Sequence, residues 1–341
     1  MNIKITNKYN FSSNNVIIGN EEKALPIETI NFIRHILQLN SIKSVDEYFE
    51  NILQSLNRQT VKWCKFLPNN KKNDYNRYLK NSLIDSEKYV TNYFYDEFPK
   101  RLNLFKMINH LDEDNPSIYK HSNITGRLSI EKGINYLTMK KDERNKLSSP
   151  FKNHRIYEMD FRSCEPNLYM RHFNLVDDSV EDIYVYISKI VEVENEKRDV
   201  LKRIILSILY GANERSVARY SKINIKKIKK IKKILNVDAF ELALRKEYNE
   251  KGHIKNLYGR PILSDSNLVN YWIQSSAVDY CCLCFYEFFK TYTSFKLHAV
   301  IHDAVIFSVH EDDLSQLKSI HSLNYKNLEI PVKIKDIQAD N

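Results

Sequence analysis

Apolar residues recur along this chain with two different periods, and the change of period marks its organisation. Between residues 26 and 110 they fall at helical spacing. PIETINFIRHILQL (26–39) sets Ile27, Ile30, Ile33 and Leu37 on one stripe, with Pro26 near its start. SVDEYFENILQSL (44–56) opens with Ser-x-x-Glu, a pair that can cap each other's backbone amides. Further helical stretches are expected in 73–110. The reading for this part of the chain is all-helical, and it names no chemistry.

The middle of the chain breaks that pattern. HSNITGRLS (121–129) is loop-like, and HRIYEMD (154–160) reads as a strand ending on an acid. EPNLYMRHF (165–173) predicts a helix with Pro166 in its first turn, where its missing amide costs nothing. EKRDVLKRIILSILYGA (196–212) predicts a helix stopped by Gly211. KINIKKIKKIKKIL (222–235) predicts a strongly basic helix, and ELALRKEY (241–248) one more. LVNYWIQSSAVDYCCLCFYEFF (268–289) is apolar around most of its girth, so a long buried helix is expected. LHAVIHDAVIFSVH (297–310), dense in Val, Ile and Phe, predicts a β-hairpin.

Composition narrows the class. With 341 residues, 43% hydrophobic and 12% aromatic, the chain is long and apolar enough for one large domain or two to three subdomains. Six glycines and eight prolines argue against long flexible linkers, and no internal repeat is visible. A net charge of +9 favours polyanion partners without naming one. Five cysteines show no CxxC spacing, and Cys281, Cys282 and Cys284 sit in an apolar aromatic run, as core residues do. They suggest neither zinc nor a disulfide framework, and a reducing setting is expected. No signal-peptide core opens the chain, and no run of about 18 apolar residues suggests a transmembrane helix. The expected location is therefore cytoplasmic, with no membrane partner.

Candidate chemistry starts from Asp303, a carboxylate inside an otherwise apolar hairpin. Burying an unpaired charge is costly, so its place needs a reason. Asp160 ends the other strand-like segment. If the two strands are neighbours, both carboxylates meet at one spot and repel unless a cation lies between them. Hard oxygen ligands beside phosphate suit magnesium, and a pair of such ions can activate an attacking oxygen and steady a leaving one. A plainer reading makes both aspartates caps of hairpin turns. Arg198, Lys202, Leu206 and Tyr210 recur every four residues along one side of a helix. Two cations and an aromatic suit a triphosphate and a base or sugar. The plainer alternative turns the cations to water and Tyr210 inward.

Taken together, T125-G-R-L-S129, D160-F-R-S-C-E165, the Arg198-Lys202-Leu206-Tyr210-Gly211 series, N270-Y-W-I-Q274 and H302-D303 resemble the polymerase domain of family A DNA polymerases, the Klenow-type group. The motifs come in that family's order, and no resemblance is visible over residues 1–110. The resemblance implies an α+β right-hand polymerase. Its antiparallel-sheet palm would comprise 121–185 and 260–341, its helical fingers 186–259, and its small helical thumb-like region 1–120. It further implies template-directed, primer-dependent DNA synthesis from dNTPs, with two magnesium ions that manganese can replace. Asp160, Asp303 and the carbonyl of Phe161 would hold metal. Arg198 and Lys202 would bind the triphosphate, with Lys202 also a proton donor to pyrophosphate. Tyr210 and Glu165 would form a steric gate against a ribose 2′-OH, with Leu206 beside them in the nucleotide site. Arg127, Asn270, Gln274 and His302 would contact the primer end and the minor groove.

Three positions depart from the family pattern. Ala304 follows Asp303 where a glutamate is usual, with Glu165 or Glu158 as candidates to compensate. Leu206 stands at a usual aromatic, and Asn167 at a common arginine. The span before Thr125 leaves little room for a proofreading exonuclease. Size and composition suggest a small virus- or plasmid-type replication or repair enzyme, with a helicase or other replisome proteins as candidate partners. In the basic helix, Ile225, Ile228, Ile231 and Ile234 form an apolar stripe amid six lysines. Those lysines are either a solvated face or a grip on the template backbone, for which Lys226, Lys229, Lys230 and Lys233 are the candidates. Two rival readings stay open. One is a single-subunit RNA polymerase, against which Glu165 argues. The other is a catalytically weak primer–template binding subunit, which Ala304 motivates.

Overall fold

A computed structural model of the chain describes residues 15–18, 21–24, 93–121 and 124–337. The helices expected over 26–39 and 44–56, and Cys64, lie outside the described residues. The chain forms two compact units. Residues 1–99 with 259–263 make one, and residues 100–258 with 264–341 make the other. In the first, strands Asn15–Ile18 and Glu21–Ala24 pair antiparallel. The chemistry-bearing residues named above all belong to the second.

The second unit is built on a five-stranded antiparallel sheet. Its spatial order is Ser322–Tyr325, Leu328–Asp336, His154–Phe161, Ala304–His310 and Lys296–Ile301. Successive side chains on a strand point to opposite faces, so each strand serves two layers. On one face Ile156, Ala299, Ile301, Ala304, Ile306 and Ile337 pack with Tyr136, and Ile134, Leu137 and Met139 extend that cluster. On the other face the aromatics meet the helix Leu268–Thr291. Phe161 lies 5.3 Å from Tyr280 and 5.2 Å from Phe285, ring centre to ring centre. Phe307 meets Phe289 at 5.8 Å and Phe295 at 6.0 Å. This helix is apolar around its girth because its surroundings are, and nearly all of it from Leu268 to Phe289 is buried. Cys281, Cys282, Cys284 and Cys164 are buried free thiols, as their apolar setting suggested.

A layer of helices adjoins the sheet. Ile183–Val191, Arg198–Leu209, Glu214–Ser221 and Ile225–Leu235 bury Ile187, Ile204, Ile208, Val217, Ile228 and Ile231 among themselves. Polar side chains fix where three of these helices begin, each accepting from amides of the first turn. Asp182 takes Tyr184 and Val185, Asn213 takes Arg215, and Asn224 takes Lys226. Arg198–Leu209 ends at Tyr210 and Gly211, whose φ is +82°. A methyl group on Gly211 would meet nothing within 4 Å. Glycine is favoured there for its backbone conformation, not for space. Of the loop expected over 121–129, the described residues 124–127 precede strand Leu128–Lys132, which pairs antiparallel with Ile118–His121. Among the described residues, no helix is long and apolar enough to cross a membrane.

Phe307 joins three aromatic neighbours to the sheet and is wholly buried. Phe307→Ala should destabilise the protein by about 3–5 kcal/mol. Urea unfolding checks this; an unchanged midpoint would show that the cluster does not hold the sheet to its helix.

Candidate active site

Asp160 and Asp303 meet because the strands carrying them are neighbours. Asp160 lies in register with Ala304, and the Phe161 amide donates to the Asp303 carbonyl at 3.1 Å. His302 and Asp303 make the two-residue turn between the hairpin strands. His302 holds φ +51°, a left-handed conformation that costs a non-glycine residue about 1–2 kcal/mol. The turn therefore delivers Asp303 to the end of the Asp160 strand at some strain. On its other side Asp160 faces Lys333 across the sheet.

Solvent reaches both aspartates, yet protein crowds them. Burial, the Asp303 charge and then Glu158 lift the Asp160 carboxyl from 3.8 to about 7, while Lys202 and Lys333 pull it back. Asp303 is raised as well, chiefly by burial, against the pull of His302, Lys202 and Arg127. Such a pair is a strained acid site that a divalent cation would relieve. The donor set fits magnesium, which takes one or two carboxylates and keeps several waters. No cluster of three or more His, Cys, Asp or Glu ligands occurs among the described residues, so a zinc-type cage is not what the site offers. Glu158, a candidate to compensate for Ala304, pairs with Arg144 at 2.9 Å.

The helix Arg198–Leu209 turns Leu201, Ile204, Ile205 and Ile208 inward. That leaves Lys202 exposed, with its charge acting on both aspartates. Arg198 is engaged: it donates to Asp182 at 2.7 Å and to Ser163 at 3.3 Å, and its guanidinium lies 4.9 Å from the Tyr184 ring centre. Burial would raise Asp182, but Arg198 and the Val185 and Tyr184 amides hold it below the usual carboxylate range.

Glu165 lies between two partners. Arg127 donates to one carboxylate oxygen at 2.9 Å, and the Tyr210 hydroxyl donates to the other. Burial and the Glu165 charge push the Tyr210 phenol far up, while nearby Arg127 and Gln274 pull it back. Leu206 lies one turn before Tyr210, half-buried. Asn270 lies one turn before Gln274, and its buried side-chain oxygen has no partner among the described residues. His302 is shifted down by burial and by nearby Arg127. Asn167, at a common arginine position, is buried and donates to the Arg162 carbonyl at 2.6 Å, fixing the bend after Phe161.

The basic helix Ile225–Leu235 divides its lysines. Lys227 and Lys230 donate to the carbonyls of Glu192 and Ile190, at the end of Ile183–Val191, where a helix attracts cations. Lys232 pairs with Glu214 at 2.9 Å and Asp238 at 2.7 Å. Lys226, Lys229 and Lys233 are exposed, and their spacing sets them on one face.

Sequence reasoning missed Asp182, Ser163, Tyr184 and Lys333. Asp182 carried a signal, an Asp just before an apolar run. The others depend on strand pairing and on the left-handed Ser163, which one sequence does not reveal.

In this arrangement an α+β protein sets two acids at one end of an antiparallel sheet, facing a cationic helix. Residues 102–340 match the family described as DNA polymerase family A, and the chain belongs to it. No curated protein matches the chain. Among solved structures the chain resembles the POL domain of Pol1 from M. smegmatis, in complex with DNA primer-template and dNTP. The TM-score is 0.54 and the identity 12%, over 92% of this chain and 64% of that one. At that identity the likeness is one of fold, and the chain spans less than two thirds of the solved domain.

The folded state holds a proton on Asp160 up to about pH 7, whereas the unfolded chain releases it near 3.8. Protonation thus stabilises the fold fully below the lower value, and the gain is lost as pH rises through the upper one. Asp160→Asn removes that loss. In chelator, its melting temperature relative to wild type should climb between about pH 4 and about pH 7 and level off above. A constant difference across that window would mean that Asp160 carries no raised proton affinity.

Proposed function

We propose that the chain carries out template-directed, primer-dependent DNA synthesis from dNTPs, without proofreading. The observation that supports this most is the pairing of Asp160 with Asp303 at one end of the sheet, within reach of the Lys202 charge. In this reading the sheet is the palm, the helices between Ile183 and Lys251 are the fingers, and the N-terminal part is thumb-like.

Asp160, Asp303 and the Phe161 carbonyl would hold two magnesium ions, or manganese in their place. Bound there, the metal supplies Lewis-acid activation and neutralises phosphate charge. The other roles fall to the chain's own groups. Lys202 binds the triphosphate and gives a proton to pyrophosphate as it leaves. Arg198 exchanges Asp182 for phosphate oxygens, a like-for-like trade for a guanidinium fork. Glu165, held by Arg127 and Tyr210, fills the place of a ribose 2′-OH, which supports dNTPs over rNTPs. Asn270, Gln274 and His302 face the primer end, and the orphaned Asn270 oxygen is an acceptor that a minor-groove amine would satisfy. Lys226, Lys229 and Lys233 hold the template backbone, while Lys230 keeps its place at the end of its neighbouring helix.

Wild-type protein should extend a labelled primer on a DNA template with magnesium and dNTPs. Asp303→Asn should stop extension and retain DNA binding, and Lys202→Ala should slow the chemical step by about 10²-fold or more. A wild type that binds primed DNA without extending it, with either metal, overturns the proposal in favour of a binding subunit. Preference for rNTPs would point to an RNA polymerase instead.

Replacing Lys226, Lys229 and Lys233 together by glutamine should lower the slope of log affinity against log salt by roughly 2 to 3. An unchanged slope would assign the three lysines to solvent.

A further inference from the structure

Arg101 and Asp279 form an ion pair at 2.5 Å in which neither side chain is more than 1% exposed. Asp279 sits on the long helix Leu268–Thr291, and its second oxygen accepts from Asn256 at 2.6 Å. Arg101 uses its other terminal nitrogen to donate to the carbonyl of Gly126 at 2.5 Å. Gly126 holds φ +69° in the turn that also carries Arg127. Arg127 grips Glu165, Glu165 accepts from Tyr210, and Gln274 lies beside Tyr210. Gln274 stands on the same long helix as Asp279. The contacts therefore run in one series from the long helix through Asp279, Arg101, the Gly126 turn, Arg127 and Glu165 to Tyr210, which lies beside Gln274 of the same helix.

A buried ion pair is a weak source of stability, because desolvation offsets most of the attraction. Packing alone gives little reason to bury Arg101. Its fork does something an apolar residue cannot: it ties a backbone carbonyl of an irregular turn to a rigid helix. That fixes the base from which Arg127 reaches Glu165. Tyr210, at the far end of the series, donates to Glu165 from the end of helix Arg198–Leu209 and lies beside Gln274. We infer that Arg101, anchored by Asp279, is a positioning residue that sets the Glu165–Tyr210 pair through the Gly126 turn, and so tunes discrimination between deoxy- and ribonucleotides. Arg101 touches no reacting group in this scheme, and the sugar-selectivity half rests on the polymerase reading.

Arg101→Lys keeps the charge but loses the fork that spans Asp279 and Gly126 together. In the apo protein, amides of residues 124–128 should exchange faster with deuterium, while the strand Ala304–His310 stays protected. In primer extension the preference for a dNTP over its rNTP should fall about three- to tenfold, the size expected for coupling between contacting residues. Adding Glu165→Gln should bring no further loss beyond Glu165→Gln alone. Should the lysine variant not fold, Asn256→Ala frees one Asp279 oxygen and should move both readouts the same way by less. Unchanged exchange of the 124–128 turn overturns the positioning claim whatever the activity. Faster exchange with unchanged sugar preference overturns its link to selectivity. A wild type inactive on all nucleotides sinks the polymerase reading, and with it the selectivity claim, while exchange alone then decides the positioning.

Discussion

Two like charges held side by side set the terms for the rest of this structure. Asp160 and Asp303 reach one spot only because strand His154–Phe161 lies next to the hairpin, and that neighbour relation is fixed by the two apolar faces of the sheet. A slip of one residue would turn every core side chain to the wrong face, so register and acid pairing stand or fall together. The fold tolerates the repulsion by surrounding it. Lys333 lies across the sheet from Asp160, Lys202 acts on both carboxyls, and Arg127 opposes the shift of Asp303. His302 accepts a left-handed backbone so that the turn ends at the right place. None of these would be needed if the sheet end carried ordinary polar residues.

The cations show a division of labour that a count of charges hides. Of the six lysines on helix Ile225–Leu235, three hold the protein together: two cap a neighbouring helix and one pairs with two acids. Three others share an outer face. Net positive charge is thus an upper bound on what a polyanion can use. Arg198 makes the same point at the site, where it rests on Asp182, Ser163 and Tyr184. Three partners already hold its guanidinium, so an anion that took the carboxylate's place would find little ordering entropy left to lose.

Strong periods and short spacings were legible in the sequence. The hairpin at 297–310, the helix behind Asp160, the long buried helix and the basic helix all lie where alternation or helical stripes put them. Strands Ser322–Tyr325 and Leu328–Asp336 were not foreseen, although the apolar–polar alternation of LEIPVKIKD is that of a half-buried strand. Helix Ile183–Val191 also escaped notice: its Ile, Val and Tyr residues favour strand, and only the capping aspartate argues otherwise. It runs across the 185/186 division expected from the sequence. At the site, the residue types were readable but their pairings were not. Nothing in the spacing says that Gln274 meets Tyr210, that Lys230 meets a carbonyl, or that Arg101 reaches the Gly126 turn. Those contacts join segments far apart in the chain, which a local pattern does not encode.

Ala304 is the departure with a clear physical cause. It stands beside Asp303 and in register with Asp160, where a glutamate would add a third carboxylate. Yet Ala304 is nearly inaccessible, one member of the cluster that joins Ile306, Ile301 and Tyr136. A longer charged side chain there would have to displace apolar neighbours or leave its charge among them, and either course is costly. Packing of the segment around Tyr136 against this end of the sheet therefore favours a small residue, and the acid site is left with two carboxylates. Glu165, the other candidate to compensate, has Arg127 on one carboxylate oxygen and Tyr210 on the other. Glu158 is paired with Arg144 two residues back along the strand. The pair Asp160–Asp303, with a smaller push from Glu158, thus supplies the repulsion that a cation at this sheet end would relieve, and that repulsion depends on the register of the two strands.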